Sequence, residues 1–498
     1  MTKALHPLSA HGNQSICLVR QPPSWRSSVT LVSAVLLFSV LASVVFVAFP
    51  MPFTGVVSEP FYYTVTKPLR LCANSSTVSH SGYIGLKGDT EVDPKRSYFW
   101  YFEAEETPAY APIILTIGGG PGTSGLNNAM MGQSACLVKE EGLVANPNRW
   151  TEKHNLIVLD HPIGVGYSYG THINNSRAAA YDVYDFLQKF FVLFPQLSGN
   201  KFVISGGSYG GVYVPNIATV IHEQNQLLSR GKGRRGAVPI ALDALILSNP
   251  FTNPEAHFRW LLQYRCMDHH VYNATDCMRL YAELPACLDS VAMALQHPSV
   301  ANRVAAAKLC YERMNAPDTH GTVHEDIRRK CTPASDTPGA CRPQVGWMNT
   351  VFNDAHVKRQ LGVPASIKFT GLNKEVNAEF LAAGDLIQAH HLMYPPLLAA
   401  GIRLLHYIGM QDSNCPWPGI FSFLKLLETP FQDEFIAVED RPWPTTDVGT
   451  VRAAGPGAGN MTMILLAEAG HFTVGDQPAL AKRIVETWIA NRAWFETD

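Results

Sequence analysis

The chain has 498 residues, 46% of them apolar and 16% charged, with 39 basic and 41 acidic side chains and a net charge of −2. A chain this long and apolar can bury a large core. Its near-balanced charge, without a long run of either sign, excludes a nucleic-acid surface built on bulk positive charge. The densest basic stretch, Arg230-Gly-Lys-Gly-Arg-Arg235, reads as a solvated loop.

Residues 1–28 carry Lys3, Arg20 and Arg26 and no acid, and residues 29–49 follow without a charge. That run is long enough to span a bilayer and longer than the apolar region of a cleaved signal, so it is expected to be an uncleaved signal anchor with its basic flank cytoplasmic. The rest would then face the secretory lumen, the vacuole or the exterior; secretion after signal cleavage is the alternative. Four N-x-S/T sequons at Asn74, Asn174, Asn273 and Asn460 fit that side of the membrane as glycosylation sites. Nine cysteines after the span, from Cys72 to Cys415, fit an oxidising compartment that pairs most of them, with the connectivity open.

Beyond the span, one domain over 60–498 is expected. Short apolar runs at Ile113–Ile117, Leu156–Leu159, Phe202–Ile204, Leu245–Leu247, Leu404–Ile408 and Met463–Leu466 read as strands buried on both faces. Helical stretches alternate with them, the last placing Leu480, Ile484 and Trp488 on one stripe. The expected fold is α/β, with a mostly parallel central sheet, helices on both faces and ligands at the carboxyl ends of the strands. Residues from about 253 to 344 break the rhythm. They are Cys-rich, helical in pattern and poor in strands, and read as an inserted cap.

Gly206-Gly-Ser208-Tyr-Gly210 joins the run at 201–205 to a helical pattern from Val214 to about Leu228. Strand, sharp turn and helix around G-x-S-x-G lift a serine hydroxyl above a sheet, so Ser208 is the candidate nucleophile of an α/β-hydrolase. Such an enzyme needs Asp and then His downstream, each after a strand. Asp412 follows the strand ending at Ile408, and His471 follows the strand ending at Leu466. Gly118-Gly-Gly-Pro-Gly122 lies after the first buried strand and lacks the Lys-Ser/Thr of a phosphate loop. The N–H groups of Gly120 and Tyr209 are therefore the expected oxyanion hole. Most of the 18 histidines are expected to be inert, with the pairs His269-His270 and His390-His391 on the surface rather than on a metal. Neither metal nor cofactor is expected.

From Leu71 onward the chain resembles the serine carboxypeptidases, in particular their secreted fungal branch. The resemblance rests on Ser81-Gly-Tyr83, Tyr98-Phe-Trp-Tyr-Phe-Glu103, Gly119-Gly-Pro-Gly122, Asp160-His-Pro-Ile-Gly-Val-Gly-Tyr-Ser-Tyr169, Ser208-Tyr-Gly-Gly-Val-Tyr-Val-Pro215 and Ala469-Gly-His-Phe-Thr-Val-Gly-Asp-Gln-Pro478, in that order. It implies an α/β-hydrolase core with a cap and a triad matching Ser208, Asp412 and His471. It also implies a substrate-carboxylate site made by an Asn before Gly-Gly-Pro-Gly, a Glu further along, and a Glu just before the nucleophile. Here those positions hold Gly118, Gly132 and Gly207, and the residue after the catalytic His is Phe472. Gly118, Gly119, Gln133 and Gly207 are the candidate substrate-binding positions, and Gln133, Asn127 or Asn128 could take over the carboxylate. Removal of C-terminal residues from peptides is the expected activity. Hydrolysis of a small ester, or acyl transfer to a small metabolite through the same triad, stays open.

Overall fold

The computed structural model describes residues 60–72, 75–314, 322–331 and 341–495. In chain order its strands are β1 (Tyr63–Val65), β2 (Ser79–Gly85), β3 (Lys95–Phe102), β4 (Ile113–Thr116), β5 (Cys136–Lys139), β6 (Gly142–Ala145), β7 (Asn155–Leu159) and β8 (Tyr169–Gly170). They continue with β9 (Phe202–Ser208), β10 (Leu242–Pro250), β11 (Thr322–Val323), β12 (Asp326–Lys330), β13 (Arg403–Gly409), β14 (Arg441–Pro442), β15 (Gly449–Ala454) and β16 (Met461–Leu466). The main sheet runs in the order β1-β2-β3-β7-β4-β9-β10-β13-β16-β15-β14, with β8 against β3.

The six expected apolar runs are β4, β7, β9, β10, β13 and β16. They form the parallel centre of the sheet. The margins differ from the expectation. β1, β2 and β3 on one side and β14 and β15 on the other pair antiparallel, so the sheet as a whole is mixed. Strands β2 and β3 are joined by a loop too short for a helical crossover, which leaves only the antiparallel pairing open to them. Residues 79–102 carry aromatic rings where β-branched runs would announce strands, and for that reason they were less legible.

Side chains alternate across the sheet, and the two faces feed two cores. Ile113, Leu115, Ile157, Leu159, Ile204 and Leu245 pack with the helices Ser176–Leu193 and Gly210–Ser229. Ile114, Leu156, Val158, Val203, Ile246 and Leu405 pack on the other face, where the helix Pro478–Ile489 buries Ile484 and Trp488. The helix after Ser208 begins at Gly210, earlier than the apolar pattern suggested.

Residues 254–313 supply the helices Pro254–Leu262, Ala274–Gln296 and Val300–Arg313, and β11 and β12 form a hairpin after them. Disulfides join Cys72 to Cys136, Cys266 to Cys277, Cys287 to Cys310 and Cys331 to Cys341, while Cys415 is buried and free among the described residues. Residues 1–28, the apolar run 29–49 and Asn74 lie outside the described residues. Among the described residues no helix is long and apolar enough to cross a membrane. Asn174 and Asn273 are exposed, whereas Asn460 is half-buried.

Candidate active site

Strands β9, β13 and β16 end at Ser208, Gly409 and Leu466, and their parallel pairing through β10 brings all three carboxyl ends to one edge of the sheet. Ser208 occupies the turn from β9 into the following helix with φ +57°, a left-handed conformation costly for a residue with a Cβ. It is half-buried. The glycine-rich turn after β4 lies directly against it. A Cβ on Gly119 would come within 2.9 Å of Ser208 Cβ and 3.0 Å of Tyr209 N, so only glycine allows this approach. Neither the Gly120 nor the Tyr209 N–H is spent on a hydrogen bond among the described residues, which leaves both available as donors.

The loops after β13 and β16 meet one another. His471 Nδ1 lies 2.7 Å from Asp412 Oδ2, with Asp412 fully buried and His471 nearly so. The other carboxylate oxygen, Oδ1, accepts from the N–H groups of Asn414 at 2.7 Å and Cys415 at 3.2 Å. Burial alone disfavours the imidazolium. The charge and hydrogen bond of Asp412 outweigh it, and the His471 pKa is raised above its ordinary 6.5. No hydrogen bond joins Ser208 Oγ to the His471 ring among the described residues.

Three neighbours that sequence patterns did not single out hold these loops. Asn249, at the end of β10 with φ +41°, donates to Gly409 O at 3.1 Å and accepts from Gly409 N at 2.9 Å. Arg265 Nε donates to Ser413 O at 2.8 Å. The β11–β12 turn supplies Glu325 O to the His471 N–H at 2.7 Å and His324 O to the Ser413 N–H at 2.9 Å. Each contact joins segments far apart in sequence, and no local motif marks them.

Asp412, Cys415 and His471 bring possible metal-ligand atoms within 4.8 Å of one another. As a metal centre the group is poor, because Asp412 already bonds His471 and the loop amides. Burial also pushes the Cys415 thiol well above its usual value, keeping it neutral. The histidine pairs divide. His390, expected on the surface, is buried, with Nδ1 3.2 Å from Asn216 Nδ2 and Nε2 3.0 Å from Asp385 O. Packing of the segment Leu386–Tyr394 onto the helix Gly210–Ser229 puts it there. His269 and His270 are exposed.

A serine on a strand-turn-helix elbow, with an acid and an imidazole on later strand-end loops of a mainly parallel sheet, is the layout of an α/β-hydrolase. The family model described as serine carboxypeptidase matches residues 71–491, and the chain belongs to that family. By class it is a serine-type carboxypeptidase hydrolase. It is 30% identical over 420 residues to carboxypeptidase Y homolog A of Botryotinia fuckeliana, covering 82% of this chain and 72% of that protein. The homolog A of Neurospora crassa is 31% identical over 428 residues, covering 84% and 73%. Among solved structures, Kex1Δp, a prohormone-processing carboxypeptidase from Saccharomyces cerevisiae, shares the fold with a TM-score of 0.68 at 19% identity, covering 83% of this chain and 91% of that one.

At the three glycines that stand where the resemblance places carboxylate ligands, the space itself is closed. A Cβ on Gly118 would lie 1.9 Å from Thr123 O, one on Gly132 2.6 Å from Val474 O, and one on Gly207 2.6 Å from Ser248 Oγ. Gln133 is buried and accepts from Thr116 Oγ1 at 2.7 Å. Asn128 donates to Ile117 O at 3.1 Å, and Asn127 donates to Gly371 O at 3.2 Å while its Oδ1 is buried without a partner among the described residues.

Proposed function

We propose that the chain releases C-terminal residues from peptides through an acyl-enzyme on Ser208. The observation that carries this reading is the buried Asp412–His471 pair at the strand edge where the Ser208 elbow stands. His471 takes the Ser208 proton as the hydroxyl attacks the scissile carbonyl. The Gly120 and Tyr209 N–H groups receive the oxyanion, and His471 returns the proton to the leaving amine. Asp412 holds the ring and stabilises its cation. Water then repeats the sequence on the ester, giving the shortened peptide and free Ser208. Residues 29–49 anchor this domain to a membrane, with the catalytic part on the lumenal side.

The closed space at Gly118, Gly132 and Gly207 supports a second reading, in which the same triad acts on a small ester or passes the acyl group to a small metabolite. Blocked dipeptides with free or amidated C-termini, assayed beside simple esters, test the two. Turnover of esters without cleavage of either peptide would overturn the carboxypeptidase reading.

A further inference from the structure

Arg342 is a buried arginine whose Nε and Nη2 have no hydrogen-bond partner among the described residues. Native interiors rarely leave such donors unmatched, and buried donors without a partner need an explanation. Glu325 and Asp326 act on Arg342 only through their charge, and the nearest carboxylate among the described residues does not supply the missing partner. Asp476 Oδ1 stands 3.7 Å from Arg342 Nη1 and is held more closely by Arg329 Nη2 at 3.0 Å, while its other oxygen accepts from the Gly470 N–H at 2.8 Å. Burial holds the Arg342 pKa below the usual arginine value.

The position of this cation relative to the site is specific. Its guanidinium carbon lies 4.3 Å above the ring of Phe472, and that ring meets the His471 ring edge-on at 5.4 Å. It also borders a cavity of about 190 Å³ with Met131, Gln344, Gly475 and Asp476. His471 must protonate the leaving amine, so the departing residue passes the His471–Phe472 segment. The glycines at 118, 132 and 207 leave no side chain to receive a carboxylate there.

We infer that Arg342 receives a carboxylate of the residue on the leaving side of the scissile bond, in place of the side chains absent at 118, 132 and 207. The inference rests on the proposed peptidase reading. A guanidinium with two free donors suits a carboxylate, which it can bind in a fork. The carboxylate is either the substrate's terminal group or an acidic side chain of its last residue.

The test compares kcat/KM on blocked dipeptides ending in free alanine, alanine amide and glutamate amide. A terminal carboxylate on Arg342 gives a free-acid to amide ratio of about 100-fold or more, as expected when a buried charge loses its partner. A side-chain carboxylate instead gives glutamate amide the advantage over alanine amide. In either case Arg342→Met reduces the preference to near unity, and Arg342→Lys keeps part of it. A preference that survives in Arg342→Met, or no preference at all, overturns the inference while leaving the peptidase reading intact. Wild-type protein that cleaves none of the peptides but turns over esters overturns the peptidase reading and the inference with it. Should Arg342→Met not fold, a crystal structure of Ser208→Ala with a bound free-acid dipeptide decides. A carboxylate within hydrogen-bond distance of Arg342 supports the inference, and one held elsewhere overturns it.

Discussion

The buried carboxylate of Asp412 holds the His471 ring at 2.7 Å, and this pair sets the pH response expected of the enzyme. His471 must be unprotonated to take the Ser208 proton, and its pKa is raised above 6.5. Turnover of amides and esters should therefore be lost as pH falls through that raised value, and should be full above it. Asp412→Asn removes the charge that opposes burial, so the acid limb should move below that of the wild type while the rate falls about 10⁴-fold. A kcat/KM–pH profile of both proteins checks this; an unmoved limb would assign the titration to another group.

Ser208→Ala should abolish labelling by a fluorophosphonate and lower turnover by about 10⁴- to 10⁶-fold. Alanine removes the hydroxyl but keeps the Cβ already present at φ +57°, so the melting temperature should change little. Persistent labelling would mean that another serine is the nucleophile.

Gly207 and Ser248 form a pair whose coupling can be measured. Gly207→Ala should cost about 1–3 kcal/mol, because its methyl would meet Ser248 Oγ at 2.6 Å. Ser248→Ala in the same chain removes that oxygen and should recover part of the loss, with the carbonyl of residue 248 at 3.1 Å limiting the recovery. Gly118→Ala has no such relief, since its contact at 1.9 Å is with the Thr123 carbonyl. Denaturant titrations of the single and double variants give the coupling energy, and additive costs would contradict the assigned contact.

Asn249→Ala should destabilise the protein by about 2–3 kcal/mol, since it strands the N–H and C=O of Gly409 that Asn249 satisfies. The same change loosens the start of the loop bearing Asp412, so kcat should fall along with stability. A variant that loses stability but keeps kcat would show that the loop is held without Asn249.

Glycans are expected at Asn174 and Asn273, whose side chains are exposed, and not at half-buried Asn460. Removing each sequon in turn and measuring the mass shift after endoglycosidase treatment checks the assignment. The same preparation tests the anchor: membranes washed in alkaline carbonate should retain the protein. A mature N-terminus beyond residue 58 on protein free in the medium would overturn the anchor.

The parallel centre of the sheet and the order of the candidate catalytic residues were legible from sequence because they depend on local patterns. Short unbroken apolar runs such as Leu156–Leu159 read as strands buried on both faces. The glycines around Ser208 announce a sharp turn, and Asp412 and His471 stand just past the ends of two such runs. The antiparallel margins were less visible, because aromatic strands such as Lys95–Phe102 lack the β-branched runs that mark the centre. Tertiary structure alone decided how the site is braced and what its pocket lacks. Asn249 meets Gly409, and Glu325 meets His471, only after distant segments pack together. A glycine in a sequence tells only that a side chain is missing. That the Thr123 carbonyl and the Ser248 hydroxyl occupy the space at Gly118 and Gly207, and that Arg342 is buried over Phe472 with two donors unmatched among the described residues, follows from the way the folded chain fills volume. Steric closure and desolvation are properties of the assembled interior, and the order of residues along the chain does not encode them locally.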